Sequence, residues 1–378
     1  MKTLIAIDSF KGSLTSMELS DTIENGINEV SSDFLVRKIP ITDGGDGMFE
    51  TIVRSLRGEK IKLRIKNPVL KDINAEYGIV NKDTAIIEMA AASGLILIPE
   101  QLRNPLNTST FGVGQMIEDA INKNCRNFII GIGGSATNDG GIGMLSALGY
   151  KFYDSTGDEL PPIGSSLNRI INIDSHNIIN HLNDCSFQIA CDVDNPLYGP
   201  NGAAHVYAKQ KGASEEDILV LDQGLKNFSE IIKRELKIDI SSEKGTGAAG
   251  GLGGGFKAFL NAELKPGIDL IFDLLKVEEN VKWADIIITG EGKLDFQTIM
   301  GKAPIGVSIL AKKYNKIVIA LAGSVTDDAE KAHDYGMTAM FSIMDAPMTL
   351  EEAMEKSRAK KLVRKKVIEI FRLIDSVV

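Results

Sequence analysis

Short apolar runs followed by helical patterns, at both ends of the chain, restrict the possible folds more than any other feature. The predicted strands are residues 4–7, 34–36, 285–289, 317–321 and 337–343. A helical pattern follows each of them, and the first helix begins with capping-box spacing from Thr15 to Glu18. Alternating strands and helices are typical of parallel α/β sheets. Two N-terminal and three C-terminal strands therefore predict a flavodoxin-like, doubly wound parallel sheet in the order 2-1-3-4-5.

The 378-residue length favours two domains, because single hydrophobic cores seldom grow beyond about 300 residues. The predicted sheet would form one discontinuous domain from residues 1–58 and 283–378. Residues 59–282 would form a large inserted domain of mixed α/β type, since strand-like stretches at 61–65, 85–89, 128–130 and 186–190 alternate with helical ones. Near the C-terminus we expect a helix between the last two strands and one long amphipathic helix from Leu350.

Composition and charge are those of an ordinary globular protein, with 43% hydrophobic and 25% charged residues. The net charge of -9 argues against general binding to nucleic acids or membrane surfaces. No apolar run approaches membrane-spanning length, and the N-terminus lacks a signal-peptide pattern. We therefore expect a cytoplasmic protein, either a monomer or a homodimer.

The stretch GIGGSATNDGGIG, residues 131–143, places many glycines directly after an apolar run. Its start satisfies the looser G-x-G-x-x-A dinucleotide fingerprint, and Asp154 lies about where a ribose ligand would be expected, which favours an NAD(P)-dependent dehydrogenase. That fingerprint must open a helix directly, however, and the glycines at 140 and 141 would interrupt one.

The same stretch could instead bind an anion through consecutive backbone N–H groups. A tight turn packed under a neighbouring strand is an equally good interpretation of the local pattern. The candidate nucleotide- or phosphate-binding residues here are Gly133, Gly134, Ser135, Thr137 and Asn138. Gly250 and Gly251, in GTGAAGGLGGG, could belong to a second phosphate loop, a hinge or a linker.

Charged residues follow the first and third predicted strands, in DSFKGS (8–13) and GEGKLD (290–295). In the order 2-1-3-4-5 these strands are neighbours, and ligands bind in the crevice where the strand order reverses. Candidate substrate-binding residues at this edge, including two from TDGGDG after the second strand, are Ser9, Asp43, Gly44, Glu291 and Asp295, with Lys11 as a catalytic cation. Solvated turn residues are the alternative interpretation.

Asp192 and Asp194 follow a predicted strand in CDVDNPLYGPNGAA. Carboxylates in that position can hold Mg²⁺ or accept a proton, whereas an Asx-turn before Pro196 is the structural alternative. We predict Asp192 as catalytic base or metal ligand, and Asp194 as a second metal ligand. Lys211, in QKGA, is a further candidate catalytic cation. Glycine-rich loops, lysines and aspartates together suit phosphoryl transfer, which depends on positioning and charge neutralisation.

The motifs DSFKGSLT, DGGDG, STFGVGQMI, GIGGSATNDGGIGML, CDVDNPLYGPNGAA, QKGA, GTGAAGGLGGG, PGIDL and ITGEGKLDFQTIMGKAPIGV stand in the order and spacing of one known family. The chain resembles the bacterial glycerate kinases of the first type from its N-terminus to about Ser324. The resemblance implies two α/β domains, one inserted into a flavodoxin-like domain. It also implies phosphorylation of D-glycerate with ATP and Mg²⁺, generally at the 2-hydroxyl. The dehydrogenase of a small hydroxy acid stays the alternative.

Overall fold

A computed structural model describes residues 1–42 and 47–377. The strands, in chain order, are β1 (Lys2–Ile5), β2 (Leu35–Lys38), β3 (Glu59–Lys66), β4 (Asp72–Val80), β5 (Thr84–Glu88), β6 (Asn127–Gly131), β7 (Lys151–Tyr153), β8 (Asn172–Asp174), β9 (Ser186–Ala190), β10 (Glu263–Lys265), β11 (Ile286–Leu294), β12 (Ile317–Val325) and β13 (Ala339–Ser342). The α-helices are α1 (Ser16–Val30), α2 (Met48–Ser55), α3 (Ala90–Ser93), α4 (Phe111–Asn122), α5 (Ile142–Ala147), α6 (Ala203–Tyr207), α7 (Glu215–Leu236), α8 (Ala248–Leu260), α9 (Gly267–Leu274), α10 (Val277–Trp283), α11 (Phe296–Ile299), α12 (Ala303–Lys313), α13 (Leu350–Met354) and α14 (Lys356–Asp375). The chain divides into two compact units, the first of Met1–Ser55 with Ile271–Val378 and the second of Leu56–Leu270.

The first unit contains a sheet in the order β2-β1-β11-β12-β13, with every neighbouring pair parallel. The central strands are apolar on both faces because helices cover both sides, as parallel sheets require. Parallel α/β structure was predicted from the alternation of apolar runs and helical patterns, and the mixed α/β class with parallel sheets is confirmed.

Helix α1 begins where the sequence pattern predicts. Thr15 is its N-cap, and the reciprocal hydrogen bonds of a capping box join Thr15 to Glu18. The buried face of α1 packs with α14 in the core of the first unit, which contains Leu19, Ile23 and Val367 among others. Burial of such aliphatic side chains stabilises the fold by about 1.5–3 kcal/mol each.

The second unit contains a sheet in the order β10-β9-β6-β5-β4-β3. The strands from β10 to β5 are parallel, whereas β4 pairs antiparallel with both β5 and β3. Phe128 of β6 stacks on Phe187 of β9 with ring centroids 4.8 Å apart. Because β5, β6, β9 and β10 are parallel, the segments that follow them emerge at one edge of the sheet.

Two local predictions in the C-terminal part of the first unit need correction. The long helix expected from Leu350 is two helices, α13 and α14, because Glu355 adopts extended backbone and its carboxylate caps α14 by accepting the N–H groups of Ser357 and Arg358. The helix expected between the last two strands is present at Asp327–Tyr335 and is of the 3-10 type. β11 is also longer than expected and continues through Glu291 to Leu294. None of the helices in 1–42 and 47–377 is long and apolar enough to cross a membrane.

Candidate functional site

The first unit has a cleft at the point where its strand order reverses. β1 and β11 lie side by side at the centre of the sheet. The chain runs from β1 to β2 on one side and from β11 to β12 on the other, so the two connections leave in opposite directions. The Asp8 backbone N–H donates to the Gly290 carbonyl across 3.0 Å, which holds the two segments together. We call the space lined mainly by residues 8–13, 291–302 and 343–354 the switch-point cleft, and its volume is about 540 Å³. Open parallel sheets bind ligands at such a reversal.

Glu291 and Asp295, both predicted as substrate-binding residues, line the switch-point cleft. Glu291 is only 8% exposed, and its carboxylate accepts hydrogen bonds from Thr298 Oγ1 at 2.6 Å and from Lys302 Nζ at 3.1 Å. Asp295 caps α11 and pairs with Lys293 at 3.1 Å. Both carboxylates thus have structural partners while they border the cleft.

Ser9 and Lys11, also predicted, line the same cleft from the segment after β1. Asp43 and Gly44 lie outside the described residues, so their roles stay predictions. The opposite side of the cleft is apolar and comes from residues that the sequence analysis did not select: Ile343, Met344, Met348, Leu350 and Met354. No motif marked them, because apolar side chains after a strand are also what an ordinary core contains.

The second unit has its own candidate site at the glycine loop, residues 132–141, which joins β6 to α5. Gly133 and Gly134 are exposed, and their backbone N–H groups donate no hydrogen bond to any residue of the described chain. Gly134 has φ +71°, a conformation that favours glycine, and the space beside the Gly133 Cα is open. The loop therefore presents two unpaired donors to its surroundings, as an anion-binding loop would.

Lys211 lies directly behind the glycine loop. The side chain is 2% exposed, and its Nζ donates to Ser135 Oγ and to the Thr137 carbonyl, both at 2.7 Å. Burial lowers the pKa of Lys211 to about 7, although the nearby Asp139 carboxylate opposes this shift. The predicted residues Lys211, Ser135 and Thr137 are thus brought together by hydrogen bonds.

Asn138 and Thr137 contribute buried polar atoms that lack partners. Both residues are 0% exposed, and no described residue bonds to Asn138 Oδ1, Asn138 Nδ2 or Thr137 Oγ1. Buried polar groups are normally hydrogen-bonded, so these three atoms are available to bond a water or a polar group of a ligand.

Asp139 anchors the glycine loop to the start of α4. The carboxylate accepts hydrogen bonds from the Thr110 N–H and hydroxyl at 2.7 and 2.8 Å, and from the N–H groups of Gly141 and Gly143. Complete burial raises the pKa of Asp139 above its usual value, while these donors favour the anion. Sequence reasoning did not select Asp139 or Thr110, since they are 29 residues apart in the chain.

Gly250 and Gly251, predicted to bind phosphate, are buried beneath the glycine loop. The Gly250 carbonyl accepts the Gly140 N–H at 3.0 Å, and a Cβ at Gly250 would lie 2.0 Å from the Thr137 carbonyl oxygen. The contacts shown are therefore with the backbone of the loop, and these glycines allow two chain segments to approach closely. Their predicted ligand contact stays a prediction.

Asp192 follows β9 as predicted, at the sheet edge that also carries the glycine loop. Its Oδ1 accepts the Gly267 N–H at 2.9 Å. The Asp194 side chain is 76% exposed and pairs with Lys244 at 2.7 Å. Of the two carboxylates, Asp192 is therefore the one that is held in position by the backbone.

No three His, Cys, Asp or Glu side chains cluster as a metal site within 1–42 and 47–377. Mg²⁺ in nucleotide sites is commonly held by one or two carboxylates together with substrate phosphates. Asp192 and Asp194 fit that mode of binding, because they are two carboxylates and the nucleotide phosphates would supply the other ligands. They do not provide an all-protein cage in the described part of the chain.

The dinucleotide fingerprint does not have its required context. Helix α5 begins only at Ile142, and Gly140 and Gly141 both have positive φ before it. The Asp154 carboxylate is engaged in its own turn with Thr156 and pairs with Arg169. The geometry therefore does not support a dehydrogenase site at the glycine loop.

Comparison with known proteins identifies similar chains across the whole length. The sequence model of the glycerate kinase family matches residues 3–375. The chain is 46% identical over 354 residues to the glycerate 2-kinase of Escherichia coli K12, with 93% of each chain covered. It is 43% identical over 356 residues to the glycerate kinase of Bacillus subtilis 168, covering 94% of this chain and 93% of the relative.

A solved structure from Salmonella typhimurium LT2, whose assignment as glycerate kinase 2 is provisional, has the same fold. The two structures superpose with a TM-score of 0.91 at 40% sequence identity. The match covers 100% of this chain and 98% of the other.

Proposed function

Because the chain belongs to the glycerate kinase family, we propose that it phosphorylates D-glycerate with ATP, giving 2-phosphoglycerate or 3-phosphoglycerate. The observation that carries this proposal is the similarity to glycerate kinases over more than nine-tenths of the chain. The buried Lys211 behind an open glycine loop supports it, because phosphoryl transfer and acid binding both need positioned N–H donors, which the Lys211 amine and the loop supply. We expect a cytoplasmic enzyme, monomeric or homodimeric.

Asp192 is our candidate for the base. Its carboxylate would take the proton of the glycerate hydroxyl as the hydroxyl oxygen attacks the γ-phosphorus, and ADP would leave with the electrons of the broken P–O bond. The Gly267 N–H at 2.9 Å would keep the carboxylate oriented. Lys11 and Lys211 would bind anionic groups, as would the N–H groups of Gly133 and Gly134 and the polar groups of Ser135, Thr137 and Asn138.

Mg²⁺ would neutralise charge on the nucleotide phosphates when bound. Asp192, with Asp194 as the weaker candidate because of its exposure and its pairing with Lys244, would hold it together with those phosphates. Ser9, Asp43, Gly44, Glu291 and Asp295 would border a bound substrate in the first unit.

We also propose that the fold is a flavodoxin-like domain, residues 1–58 and 283–378, interrupted by an inserted domain, residues 59–282. The parallel order β2-β1-β11-β12-β13 supports this description. The division into a discontinuous and a continuous unit supports it as well.

The decisive experiment is to incubate the purified protein with ATP, Mg²⁺ and D-glycerate and to follow ADP release. We expect ADP that depends on both D-glycerate and enzyme, with L-glycerate and lactate as controls for stereochemistry and for the number of hydroxyls. Phosphorus NMR of the product distinguishes the 2-phosphate from the 3-phosphate. If ADP release stays at background level and NADH is formed from glycerate and NAD instead, the kinase proposal is refuted and the dehydrogenase alternative is supported.

A further inference from the structure

The switch-point cleft has one apolar side, and part of it is unusually exposed. Leu350, the first residue of α13, is 75% exposed although it is a large hydrophobic residue. Met344 and Met348 are half-buried beside it, after β13. Met354 lies over the segment that follows β1, since a Cβ at Gly12 would come within 2.6 Å of its Cε. An apolar surface therefore borders the same loop that carries Ser9 and Lys11.

The other side of the cleft is charged and carries the amines of Lys11, Lys293 and Lys302 together with the carboxylates of Asp8, Glu291 and Asp295. Lys293 pairs with Asp295 and Lys302 with Glu291, each at 3.1 Å. The ligand that suits both sides has an apolar part and a charged part. A nucleotide has this character, because its base can lie on thioether and aliphatic groups while its phosphates reach the lysines. A three-carbon hydroxy acid has no apolar part, and a cleft of about 540 Å³ is far larger than it requires.

We propose that the first unit binds the nucleotide, with the adenine base against Met344, Met348 and Leu350 and the phosphates toward Lys11 and Lys302. This inference rests on the proposed use of ATP. It reverses the expectation from the sequence, which gave the nucleotide phosphates to the glycine loop and the acid to this cleft. The glycine loop, with its small set of buried polar groups around Lys211, is then left to the carboxylate and hydroxyls of glycerate.

The test measures ADP binding by calorimetry for the wild type, Leu350→Ala and Met348→Ala, with and without D-glycerate. Leu373→Ala is the matched control, because Leu373 is 66% exposed on α14 and does not line the cleft. We expect Leu350→Ala and Met348→Ala to weaken ADP binding by about 3- to 10-fold, since each removes apolar area that the base would cover. Leu373→Ala should bind ADP as the wild type does.

Inorganic tripolyphosphate is the second probe, because it has the phosphates without the base. Its affinity should be the same in the wild type, Leu350→Ala and Met348→Ala. Equal ADP affinity in all four proteins would overturn the inference, as would a rise in the KM for glycerate with unchanged ADP affinity. The wild-type kinase assay separates the two proposals. If ADP binding is weakened in Leu350→Ala but the wild type forms no phosphoglycerate, the proposed function is refuted and this subsite stands. Leu350 is exposed, so its replacement does not put folding at risk.

Discussion

Lys211 donates a hydrogen bond from Nζ to Ser135 Oγ across 2.7 Å, although 76 residues separate them in the chain. The amine is completely enclosed, and burial lowers its pKa from an ordinary value near 10.5 to about 7. Between these two values the unfolded chain carries the proton on Lys211 and the folded chain does not. Unfolding therefore takes up a proton, and the contribution of Lys211 to stability rises with pH across this window.

Replacement of Lys211 by Met should remove that pH dependence. The difference in unfolding free energy between wild type and Lys211→Met should change in favour of the wild type from about pH 7 to pH 10, by at most about 1.4 kcal/mol per pH unit. Below pH 7 the difference should be flat, because both states of the wild type are protonated. Denaturant unfolding at a series of pH values measures it.

Lys209→Met is the control for this prediction. Lys209 is in the same 3-10 helix, but its side chain is 77% exposed and pairs with Glu215. Its replacement should give a pH-independent difference. A pH-independent difference for Lys211→Met as well would show that Lys211 keeps one charge state throughout the range.

Asp192→Asn should lower kcat by about 10²–10⁴-fold, the usual contribution of a positioned base. Asparagine retains an oxygen that can accept the Gly267 N–H, so the fold should persist and ADP affinity should change little. A shift in the Mg²⁺ concentration needed for half-maximal rate would indicate a metal ligand instead of a base.

Asp194→Asn is the matched control for Asp192→Asn. Because the Asp194 side chain is exposed and pairs with Lys244, we expect little change in kcat or in Mg²⁺ dependence. Near-normal turnover of Asp192→Asn at saturating Mg²⁺ would remove Asp192 from the mechanism and make Asp43, Glu291 and Asp295 the next carboxylates to replace.

The elements of the first unit could be predicted because their signals are local. Strands buried on both faces are continuous apolar runs, and Thr15 and Glu18 mark a helix start within four residues. The break at Glu355 was missed because the apolar periodicity continues on both sides of it. Only the extended backbone of that residue, which the pattern does not encode, separates α13 from α14.

The glycine loop was predicted as a ligand site, but its supporting residues were not connected to it. The hydrogen bond from Lys211 and the packing of Gly250 depend on chain segments that are distant in sequence. Residue type alone therefore identified Lys211 as a candidate, while its burial and its altered pKa required the fold. The side of the cleft that contains Met344 and Met348 could not be recognised from the sequence, since methionine is also common in ordinary hydrophobic cores.

Gly133→Ala should leave the stability of the protein unchanged and test ligand binding at the glycine loop, whereas Gly250→Ala should destabilise the fold. A Cβ at Gly133 meets nothing within 4 Å, so the variant should melt like the wild type. If a ligand approaches the exposed Gly133 N–H, the added methyl group will obstruct it and raise the KM for that ligand. Substrate kinetics and thermal melting measure the two effects separately.

In Gly250→Ala, the added Cβ would lie 2.0 Å from the Thr137 carbonyl oxygen, and the residue has φ +71°. Backbone strain and this clash should destabilise the protein by several kcal/mol and lower its melting temperature. A stable Gly250→Ala would contradict the close packing of α8 on the glycine loop.

For Gly133→Ala, an unaltered KM for both substrates would exclude ligand contact at that residue.

The ion pair between Glu291 and Lys302 should contribute more to stability than an exposed pair of similar length. The two side chains are 11% and 31% exposed, and the Thr298 hydroxyl also donates to Glu291. A double-mutant cycle with Glu291→Gln and Lys302→Met should give a coupling energy of about 1–2 kcal/mol, because partial burial reduces solvent screening.

The exposed Lys209–Glu215 pair, at 3.0 Å, is the comparison and should give about 0–1 kcal/mol. Denaturant unfolding at low and at high salt measures both cycles, and salt should reduce the exposed coupling far more. If the two couplings are equal and equally sensitive to salt, the Glu291 carboxylate is solvated, and its position in the switch-point cleft does not depend on Lys302.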